Sequence, residues 1–350
     1  MSDTAGMLYL TRREVVKAVE KLDPVGIVRD ALALHAAGRT TLPDEAYLPW
    51  QTSRGSFARS LTLPGALWGK TPVLGVKLIN SSLDNHLHGL PRANGVTLLF
   101  DRETARPKAI MDAAHLSALR TAAYTVLSVR LLAAPDVRRI GVVGCGALGA
   151  MHVRLLAEIL PTARFHLFDV HAGQSAALAA ALRGQAIDCA PVDSAEAAVR
   201  DQQVVVTTTT TTTGYLRYDW LSPGTLIAHV SLDDVLPEVV ALADLVVIDD
   251  WPLVSADDRR ILGRMYRSGE LLGPDGEAFA RPRPDARQVD ATLADVVAGR
   301  HVGRTSDEQI VLSNPFGMGI LDVAVAGEVL RVAGELGLGT FLPHDDGGQS

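Results

Sequence analysis

Residues 139–160, RIGVVGCGALGAMHVRLLAEIL, are the stretch of sequence that decides the fold. An apolar run from Ile140 to Val143 predicts a buried strand, and the segment from Met151 has the spacing of apolar residues that is typical of a helix. A glycine-rich turn joins the two. Strand, glycine turn and helix in this order are the fingerprint of a dinucleotide-binding βαβ unit.

Each glycine of this turn has a physical task. Gly144 allows the tight turn after the strand, and Gly146 lets the backbone approach a pyrophosphate. Gly149 lets the helix pack closely against the strand. The N-terminus of the helix then offers free N–H groups and a partial positive charge to the phosphates. The turn therefore predicts a bound dinucleotide.

An acidic residue defines the expected type of dinucleotide. The run from Arg164 to Asp169 predicts a second strand that ends in a carboxylate, twenty residues after Gly149. A carboxylate there suits the two hydroxyls of an adenosine ribose and would repel a 2′-phosphate. His171 is the nearest candidate for phosphate recognition, and no Arg or Lys directly follows. The sequence therefore predicts NAD rather than NADP.

The remaining pattern predicts the fold class. After the glycine turn, further apolar runs alternate with helical segments, and these runs are Val204–Thr208, Leu226–Val230 and Leu245–Ile248. Such alternation predicts an α/β protein with a doubly wound parallel sheet of the Rossmann type. Residues 40–100 instead carry short β-rich runs separated by Gly, Pro, Asn and Asp, which predict a separate antiparallel or mixed sheet.

The composition limits the classes of partner and compartment. The chain has 350 residues, of which 47% are hydrophobic and 21% charged, and its net charge is −7. There is no basic stripe to favour nucleic acid, and no apolar run approaches the ~20 residues of a membrane span. The N-terminus lacks a signal-peptide pattern. With two cysteines and no metal-ligand spacing among ten histidines, we expect a cytoplasmic protein without a metal.

Three cations are candidates for binding a carboxylate substrate. Lys77 lies in an otherwise apolar strand, Arg120 lies in a helix of small and apolar residues, and Arg92 lies in a loop. An arginine can hold a carboxylate through two parallel hydrogen bonds. Taken alone, Lys77 could instead extend its ammonium group to solvent, and Arg120 could bind nearby carbonyls.

Two aspartates are candidates for a general acid or base. Asp233 and Asp234 follow the predicted strand Leu226–Val230. The carboxyl ends of strands in an open α/β sheet form the ligand crevice, where a carboxylate with a suitable pKa could transfer protons. Taken alone, the pair could instead cap the following helix.

Together these motifs resemble the ornithine cyclodeaminase/μ-crystallin family, over nearly the whole chain. They are Gly75-Val-Lys77, Gly89-Leu-Pro-Arg92, Leu98-Leu-Phe-Asp101 with Glu103-Thr104, Ala118-Leu-Arg-Thr-Ala-Ala123, the glycine turn, Val204–Thr209 and Leu221-Ser-Pro-Gly224. The resemblance implies a homodimer. It also implies a mixed α+β substrate-binding and dimerisation domain, which we place at residues 1–130 and 305–350, and a Rossmann NAD-binding domain at residues 131–304.

The resemblance also implies roles for individual residues. Lys77 and Arg120 would hold the α-carboxylate of the substrate beside the nicotinamide, and Lys77 is expected to take part in catalysis. Asp234 aligns best with the general acid/base, while Asp233 stays open because this chain has an extra residue before it. The expected cofactor contacts are Arg120, Gly144, Gly146, Ala147, Leu148, Asp169, Thr208, Thr209 and Ser231.

Within the family, the details favour the branch that oxidises N-(2-amino-2-carboxyethyl)-L-glutamate. Cyclodeaminases usually have a threonine at the position of Arg92 and a Gly-Gly-Asp-Cys-Pro motif where this chain has residues 231–238. Residues 314–322, NPFGMGILD, are similar to the branch. Its members oxidise the glutamate C–N bond with NAD and release 2,3-diaminopropionate and 2-oxoglutarate, for siderophores or peptide natural products. The three carboxylates of that substrate would suit Arg92 and, more loosely, Arg59.

Other functions within the family remain open from the sequence. They are an ornithine or lysine cyclodeaminase, a ketimine reductase, and a μ-crystallin-like protein that binds NAD(P) and a small ligand with little turnover. The presence of Lys77, Arg120 and an aspartate at 233 or 234 argues against lost catalysis.

Overall fold

The computed structural model describes residues 6–231 and 233–344. Its contacts divide the chain into two compact units, Met1–Arg120 with Met318–Ser350, and Thr121–Gly317. Below, the first unit means the described residues 6–120 and 318–344, and the second unit means the described residues 121–231 and 233–317. The first unit is therefore built from both ends of the chain.

The strands of the described residues are β1 (Gly6–Leu10), β2 (Thr40–Thr41), β3 (Ala46–Gln51), β4 (Phe57–Leu67), β5 (Val73–Ser82), β6 (Ala93–Phe100), β7 (Pro107–Asp112), β8 (Arg139–Val143), β9 (Arg164–Phe168), β10 (Cys189–Pro191), β11 (Val204–Thr207), β12 (Leu226–His229), β13 (Leu245–Ile248), β14 (Leu271–Leu272), β15 (Arg287–Gln288), β16 (Ala291–Thr292), β17 (Val311–Asn314) and β18 (Thr340–Pro343).

The α-helices of the same residues are α1 (Arg12–Val19), α2 (Pro24–Ala36), α3 (Ala113–Leu132), α4 (Ala147–Ile159), α5 (Ala172–Arg183), α6 (Ala195–Val199), α7 (Pro237–Leu242), α8 (Trp251–Ala256), α9 (Ile261–Arg267), α10 (Leu293–Val297) and α11 (Gly319–Glu335). The boundary between the two units lies inside α3, between Arg120 and Thr121.

The second unit contains a parallel sheet in the order β10-β9-β8-β11-β12-β17-β13-β16. Every neighbouring pair in it is parallel. Its central strands are buried along their whole length, as in β11 and β12, because a parallel sheet is covered by helices on both faces. The predicted α/β class with a Rossmann sheet is confirmed.

One strand places the domain boundaries differently from the sequence analysis. The segment 305–317 was expected in the substrate-binding domain, but β17 from this segment lies between β12 and β13 in the parallel sheet. Hydrogen bonding to two strands joins it to the second unit. The second unit therefore runs from Thr121 to Gly317 instead of from residue 131 to 304. A four-residue strand carries no local signal of which strands it pairs with, so its sheet could not be predicted from the sequence.

The first unit contains a mixed sheet in the order β18-β1-β7-β6-β5-β4-β2, with β3 paired to β4. Its long central strands are antiparallel, and β1 is parallel to β7. Helix α11 packs on this sheet against β4 and β5. The approach is close, because a Cβ on Gly65 would lie 2.8 Å from the backbone nitrogen of Ile320, and one on Gly319 would lie 2.5 Å from the carbonyl oxygen of Pro64. The two glycines let the start of α11 lie directly on β4.

Two kinds of feature are absent from the residues that the structure describes. None of their helices is both long enough and apolar enough to cross a membrane. None of their groups of His, Cys, Asp and Glu side chains is arranged to hold a metal ion.

Candidate active site

The carboxyl edge of the parallel sheet brings together the predicted cofactor residues other than Arg120. Strand β8 lies between β9 and β11, so the strand order reverses beside it, and such a reversal leaves a ligand crevice at the carboxyl ends. The glycine turn follows β8, and Thr208 and Thr209 follow β11. Ser231 and Asp234 follow β12 at the same edge. Parallel strands thus bring together residues that are far apart in the chain.

The glycine turn is tightly packed on its inner side. Gly144 has a φ of +99°, and a Cβ there would lie 2.8 Å from the backbone of Thr208. A Cβ on Gly149 would lie 2.1 Å from the carbonyl oxygen of Gly144. The Thr208 hydroxyl donates to that same oxygen at 2.8 Å. Thr208 therefore holds the turn itself, in addition to any cofactor contact.

The outer side of the turn is open. Gly146 is the exposed N-cap of α4, and a Cβ built on it would meet nothing within 4 Å. Ala147 is also exposed, and Leu148 is half-buried. The backbone N–H groups at this helix N-terminus are therefore accessible to phosphates, which matches the needs of a dinucleotide.

Asp169 supports the turn as well as ending β9. One carboxylate oxygen accepts from the backbone N–H of Cys145 at 2.8 Å, and the other accepts from that of His171 at 2.9 Å. Both bonds fix the carboxylate at the end of the strand where an adenosine ribose would lie. The residues present therefore fit NAD.

Gly146→Val is expected to weaken NAD binding by at least about tenfold, because the added side chain would fill the space that a pyrophosphate needs. The extended φ and ψ of Gly146, −75° and −168°, accommodate valine, so the thermal midpoint of unfolding should hardly change. Quenching of protein fluorescence on NAD titration measures the binding.

The matched control for this variant is Gly334→Val. Gly334 lies in α11, and a Cβ there also meets nothing within 4 Å. This control should bind NAD as the parent does. Equal NAD affinity of Gly146→Val and the parent would place the pyrophosphate elsewhere.

Asp234 is a fully buried carboxylate. Its Oδ1 accepts hydrogen bonds from the Thr209 and Tyr215 hydroxyls, each at 2.8 Å. Its Oδ2 is buried and has no hydrogen-bond partner within residues 6–231 and 233–344. Burial raises the pKa of Asp234 above its usual range, and the neighbouring Thr209, Tyr215 and Ser231 side chains oppose that rise. A carboxylate with a raised pKa and one free oxygen is suited to proton transfer.

Asp233 has different surroundings from Asp234. Its Oδ1 forms an ion pair with Arg264 at 2.5 Å, and its side chain is also buried. The Arg264 guanidinium therefore occupies one oxygen of this carboxylate, whereas no cation is paired with Asp234 among the described residues. Of the two alternatives that the sequence leaves open, the geometry favours Asp234 as the acid/base.

Tyr215 is a site residue that the sequence analysis missed. It follows the threonine run, and no residue pattern there indicates a role. A parallel bridge pairs Leu216 with Val235, and the backbone N–H of Tyr215 donates to the carbonyl of Asp234 at 2.9 Å. Only this pairing of two loops places the Tyr215 hydroxyl on the Asp234 carboxylate. Ser231 contributes indirectly, because its hydroxyl accepts from the backbone N–H of Thr209 at 2.7 Å.

The first unit contains a buried cluster of charges. The Lys77 ammonium donates to Oδ2 of Asp322 at 2.7 Å and to the Ser117 hydroxyl at 3.2 Å. The Nε of Arg120 donates to Oδ1 of the same carboxylate at 3.0 Å. Lys77 and Asp322 are almost completely buried, and Arg120 is 7% exposed. The structure therefore brings Lys77 and Arg120 together, and it adds Asp322, which the sequence analysis did not assign to the site.

This cluster keeps an excess of positive charge. Two cations share one carboxylate, and burial together with the charge of Arg120 lowers the pKa of Lys77 to about 8 despite its bond to Asp322. In the described part of the chain, the terminal nitrogens of Arg120 have no hydrogen bond, because Asp322 takes only Nε. A substrate carboxylate would supply the missing negative charge.

Arg59 and Arg92 form a second positive group in the first unit. Arg59 lies on β4 opposite Ser81 of β5, and its Nε donates to the Ser81 hydroxyl at 3.3 Å. Arg92 directly precedes β6, in which Ala93 pairs with the same Ser81. Arg92 is exposed, and its pKa is lowered first by desolvation from the atoms around it and then by the charge of Arg59. The two guanidinium groups are thus neighbours of like charge.

The family model of the ornithine cyclodeaminase/μ-crystallin family matches residues 7–334. The chain belongs to this family.

Individual proteins are similar to this chain over almost its whole length. The N-((2S)-2-amino-2-carboxyethyl)-L-glutamate dehydrogenase of Staphylococcus aureus is 30% identical over 343 residues, which cover 96% of this chain and 98% of that protein. The crystal structure of CmnK is 41% identical with a TM-score of 0.87, covering 96% of this chain and 98% of CmnK. An archaeal alanine dehydrogenase, solved as a dimer with bound NAD, is 25% identical with a TM-score of 0.79, covering 96% and 98%.

In this member of the ornithine cyclodeaminase/μ-crystallin family, the predicted residues fall into the two units by role. Every residue predicted to bind substrate, including Arg59, Arg92 and Arg120, lies in the first unit. The glycine turn, Asp169 and Asp234 lie in the second unit, with the threonines and Ser231. Of the predicted cofactor contacts, Arg120 alone lies outside the second unit.

Proposed function

We propose that this protein is an NAD-dependent dehydrogenase that oxidises the glutamate C–N bond of N-(2-amino-2-carboxyethyl)-L-glutamate. Its products are 2,3-diaminopropionate and 2-oxoglutarate. Membership of the family and the similarity to the Staphylococcus aureus dehydrogenase support an oxidoreductase that acts on amino-acid C–N bonds. The similarity to an alanine dehydrogenase that was solved as a dimer supports a homodimer.

The observation that carries this proposal is a second positive group near the first, because Arg59 lies on the same face of the sheet as Lys77 and the charge of Arg59 acts on Arg92. Side chains alternate along a strand, so Ser81 and Lys77 point to the same face of β5, and Arg59 lies directly opposite Ser81. Lys77 and Ser81 are four residues apart, or about 13 Å along the strand. Because an arginine side chain is long, the distance between the Lys77 ammonium and the Arg59 guanidinium can be bridged by one ligand with two carboxylates.

Two separate positive groups suit a substrate with several carboxylates. Lys77 and Arg120 would bind the carboxylate next to the reacting carbon, and Arg59 and Arg92 would bind a distal one. Alanine and proline have a single carboxylate and would offer no distal carboxylate to the second group. Ornithine would bring a second positive charge, which two arginines would repel.

The chemistry needs a hydride acceptor and a base. NAD, bound at the glycine turn, would accept the hydride from the glutamate α-carbon. Asp234 would take the proton from the substrate nitrogen as the C=N bond forms, so that one hydride and one proton leave together. Asp234 would then help water to add to the imine carbon, and collapse of the adduct breaks the C–N bond to give 2-oxoglutarate and the free amine of diaminopropionate. Lys77 and Arg120 would fix the carboxylate and thereby orient the reacting carbon.

An assay with the conjugate and NAD tests the proposal. NADH, measured by absorbance, and 2-oxoglutarate, measured by mass spectrometry, should form in equal amounts. Ornithine and alanine are the comparison substrates. Proline formed from ornithine without net NADH, together with no turnover of the conjugate, would make the protein a cyclodeaminase instead.

Arg92→Gln is expected to raise KM for the conjugate by about 10- to 100-fold, because a charged hydrogen bond to a carboxylate contributes about 1.5–3 kcal/mol. The KM for NAD should stay unchanged, since Arg92 is not among the residues predicted to contact the cofactor. Steady-state kinetics with each substrate varied in turn measures both constants.

The matched control is Arg13→Gln, on the exposed surface of α1. This control should leave the KM for the conjugate and the KM for NAD unchanged. An unchanged KM for the conjugate in Arg92→Gln would remove the distal carboxylate from the proposal.

A further inference from the structure

The two oxygens of the Asp234 carboxylate have unequal surroundings. Oδ1 accepts two hydroxyl hydrogen bonds, from Thr209 and Tyr215, which fill both of its lone-pair positions. Oδ2 accepts none within the part of the chain that the structure describes, although it is buried. A buried acceptor without a partner costs free energy, so such an atom in a site indicates a place for a ligand group.

The Tyr215 hydroxyl is held on Oδ1 by the backbone. The N–H groups of Tyr215 and Leu216 both donate to the carbonyl of Asp234, each at 2.9 Å, and Leu236 donates back to the carbonyl of Leu216 at 3.0 Å. These backbone hydrogen bonds therefore fix the position of Tyr215 relative to Asp234. The Thr209 side chain is fixed in a similar way, because the Ser231 hydroxyl accepts from its N–H.

We propose that Tyr215 is a positioning residue which, with Thr209, holds Oδ1 of Asp234, so that Oδ2 alone exchanges the proton of the substrate amine. This inference rests on the proposed function, in which Asp234 is the acid/base. Protonation of Oδ1 would break one or both of its hydroxyl bonds, whereas protonation of Oδ2 breaks none. The proton that leaves the substrate nitrogen therefore goes to Oδ2 as the hydride goes to NAD, and Oδ2 returns to its charged form when that proton is released.

Tyr215 also acts on the charge of the carboxylate. A hydroxyl that donates to an ionised carboxylate favours the ionised form, and this opposes the effect of burial on Asp234. Loss of the Tyr215 hydroxyl should therefore favour the protonated, inactive form of the base.

The other titratable groups near Asp234 do not hold its carboxylate in place of the Thr209 and Tyr215 hydroxyls. His229 has its Nε2 3.8 Å from Oδ2, but burial and the charge of Arg260 lower the pKa of His229 to about 3, which keeps it neutral at working pH. The Nε2 of His229 instead lies 3.2 Å from the backbone nitrogen of Asp234. The nearest other carboxylate, Asp233, is paired with Arg264.

The test compares the parent with Tyr215→Phe, which removes the hydroxyl and keeps the ring. The acid limb of the pH profile of kcat/KM should move to higher pH by about one pH unit, because a charged hydrogen bond is lost. Activity falls as pH drops through the pKa of the base, so a higher pKa shifts this loss upward. Well above that pH, kcat/KM should return close to the parent value.

A second measurement does not depend on turnover. Infrared difference spectra of the full-length, ligand-free protein follow the C=O band of a protonated carboxyl, and subtraction of Asp234→Asn assigns that band to Asp234. In Tyr215→Phe the band should persist to higher pH than in the parent. Thr209→Val should shift it in the same direction, which keeps the inference testable if Tyr215→Phe folds poorly.

Tyr218→Phe is the matched control, because Tyr218 follows Tyr215 closely in the chain and is not among the donors to the Asp234 carboxylate within the described residues. Its infrared titration should match the parent. An unchanged Asp234 band in both Tyr215→Phe and Thr209→Val would overturn the positioning role even if the conjugate is turned over. A shifted band without turnover of the conjugate would retain the role of Tyr215 and refute the proposed substrate.

Discussion

Asp234→Asn is expected to lower kcat by about 10²- to 10⁴-fold, the usual contribution of a general acid/base. Asparagine keeps the shape of the side chain and can still accept from Thr209 and Tyr215, but it cannot take a proton from the substrate nitrogen. The affinity for NAD should stay near that of the parent, because the carboxylate is not part of the glycine turn. Single-turnover kinetics and NAD titration measure the two effects separately.

Asp233→Asn is the matched control, with the same substitution one residue earlier. Its carboxylate is bound to Arg264, which is 48% exposed, so the charge left behind can be solvated. We expect kcat to stay within about threefold of the parent, in keeping with the small contribution of a partly exposed ion pair. The reverse result, with Asp233→Asn inactive and Asp234→Asn active, would assign the acid/base to Asp233.

Asp322→Ala is expected to lower the free energy of unfolding by about 3–5 kcal/mol, the cost of leaving a buried charge without its partner. The substitution removes the carboxylate that binds both Lys77 and Arg120, and both cations are almost fully buried. Denaturant titration followed by circular dichroism measures the change. Because two buried cations then lie together, the loss should be larger at pH 7 than at pH 9, where more of Lys77 is neutral.

Asp30→Ala provides the comparison for that measurement. Asp30 pairs with Arg29 on the surface, where both side chains are well exposed, and its loss should leave the denaturation midpoint where it is. If Asp322→Ala unfolded at the same denaturant concentration as the parent, the cluster would not stabilise the first unit, and Asp322 would matter only for substrate binding.

The sequence determined the dinucleotide half of this protein almost completely. Gly144 is needed for a turn with positive φ, Gly149 for close packing within the turn, and Gly146 for space beside a pyrophosphate, and the spacing of the three glycines in the chain shows all of these needs. The apolar runs that became β8, β11, β12 and β13 are nearly continuous because both faces of a parallel sheet are buried. Both features depend on residues that are close together in the chain, so the sequence alone predicts them.

The substrate half could be predicted only in part. Lys77 and Arg120 were identified as charges in apolar surroundings, which need partners when buried. The partner itself, Asp322, lies 245 residues from Lys77 in the chain, and nothing local distinguishes it from other acids in helices. Only the packing of α11 on the sheet, at Gly65 and Gly319, brings the three charges together.

Tertiary structure decided three further points for the same physical reason. It placed β17 in the parallel sheet, because strand pairing is a contact between distant segments. It gave Asp234 and Asp233 different partners, because the sequence does not place the Thr209 and Tyr215 hydroxyls on the first or the Arg264 guanidinium on the second. It put the Tyr215 hydroxyl on Oδ1 of Asp234 through a bridge between two loops. The sequence thus specified which chemical groups are present, and the fold specified which of them form hydrogen bonds and ion pairs with one another.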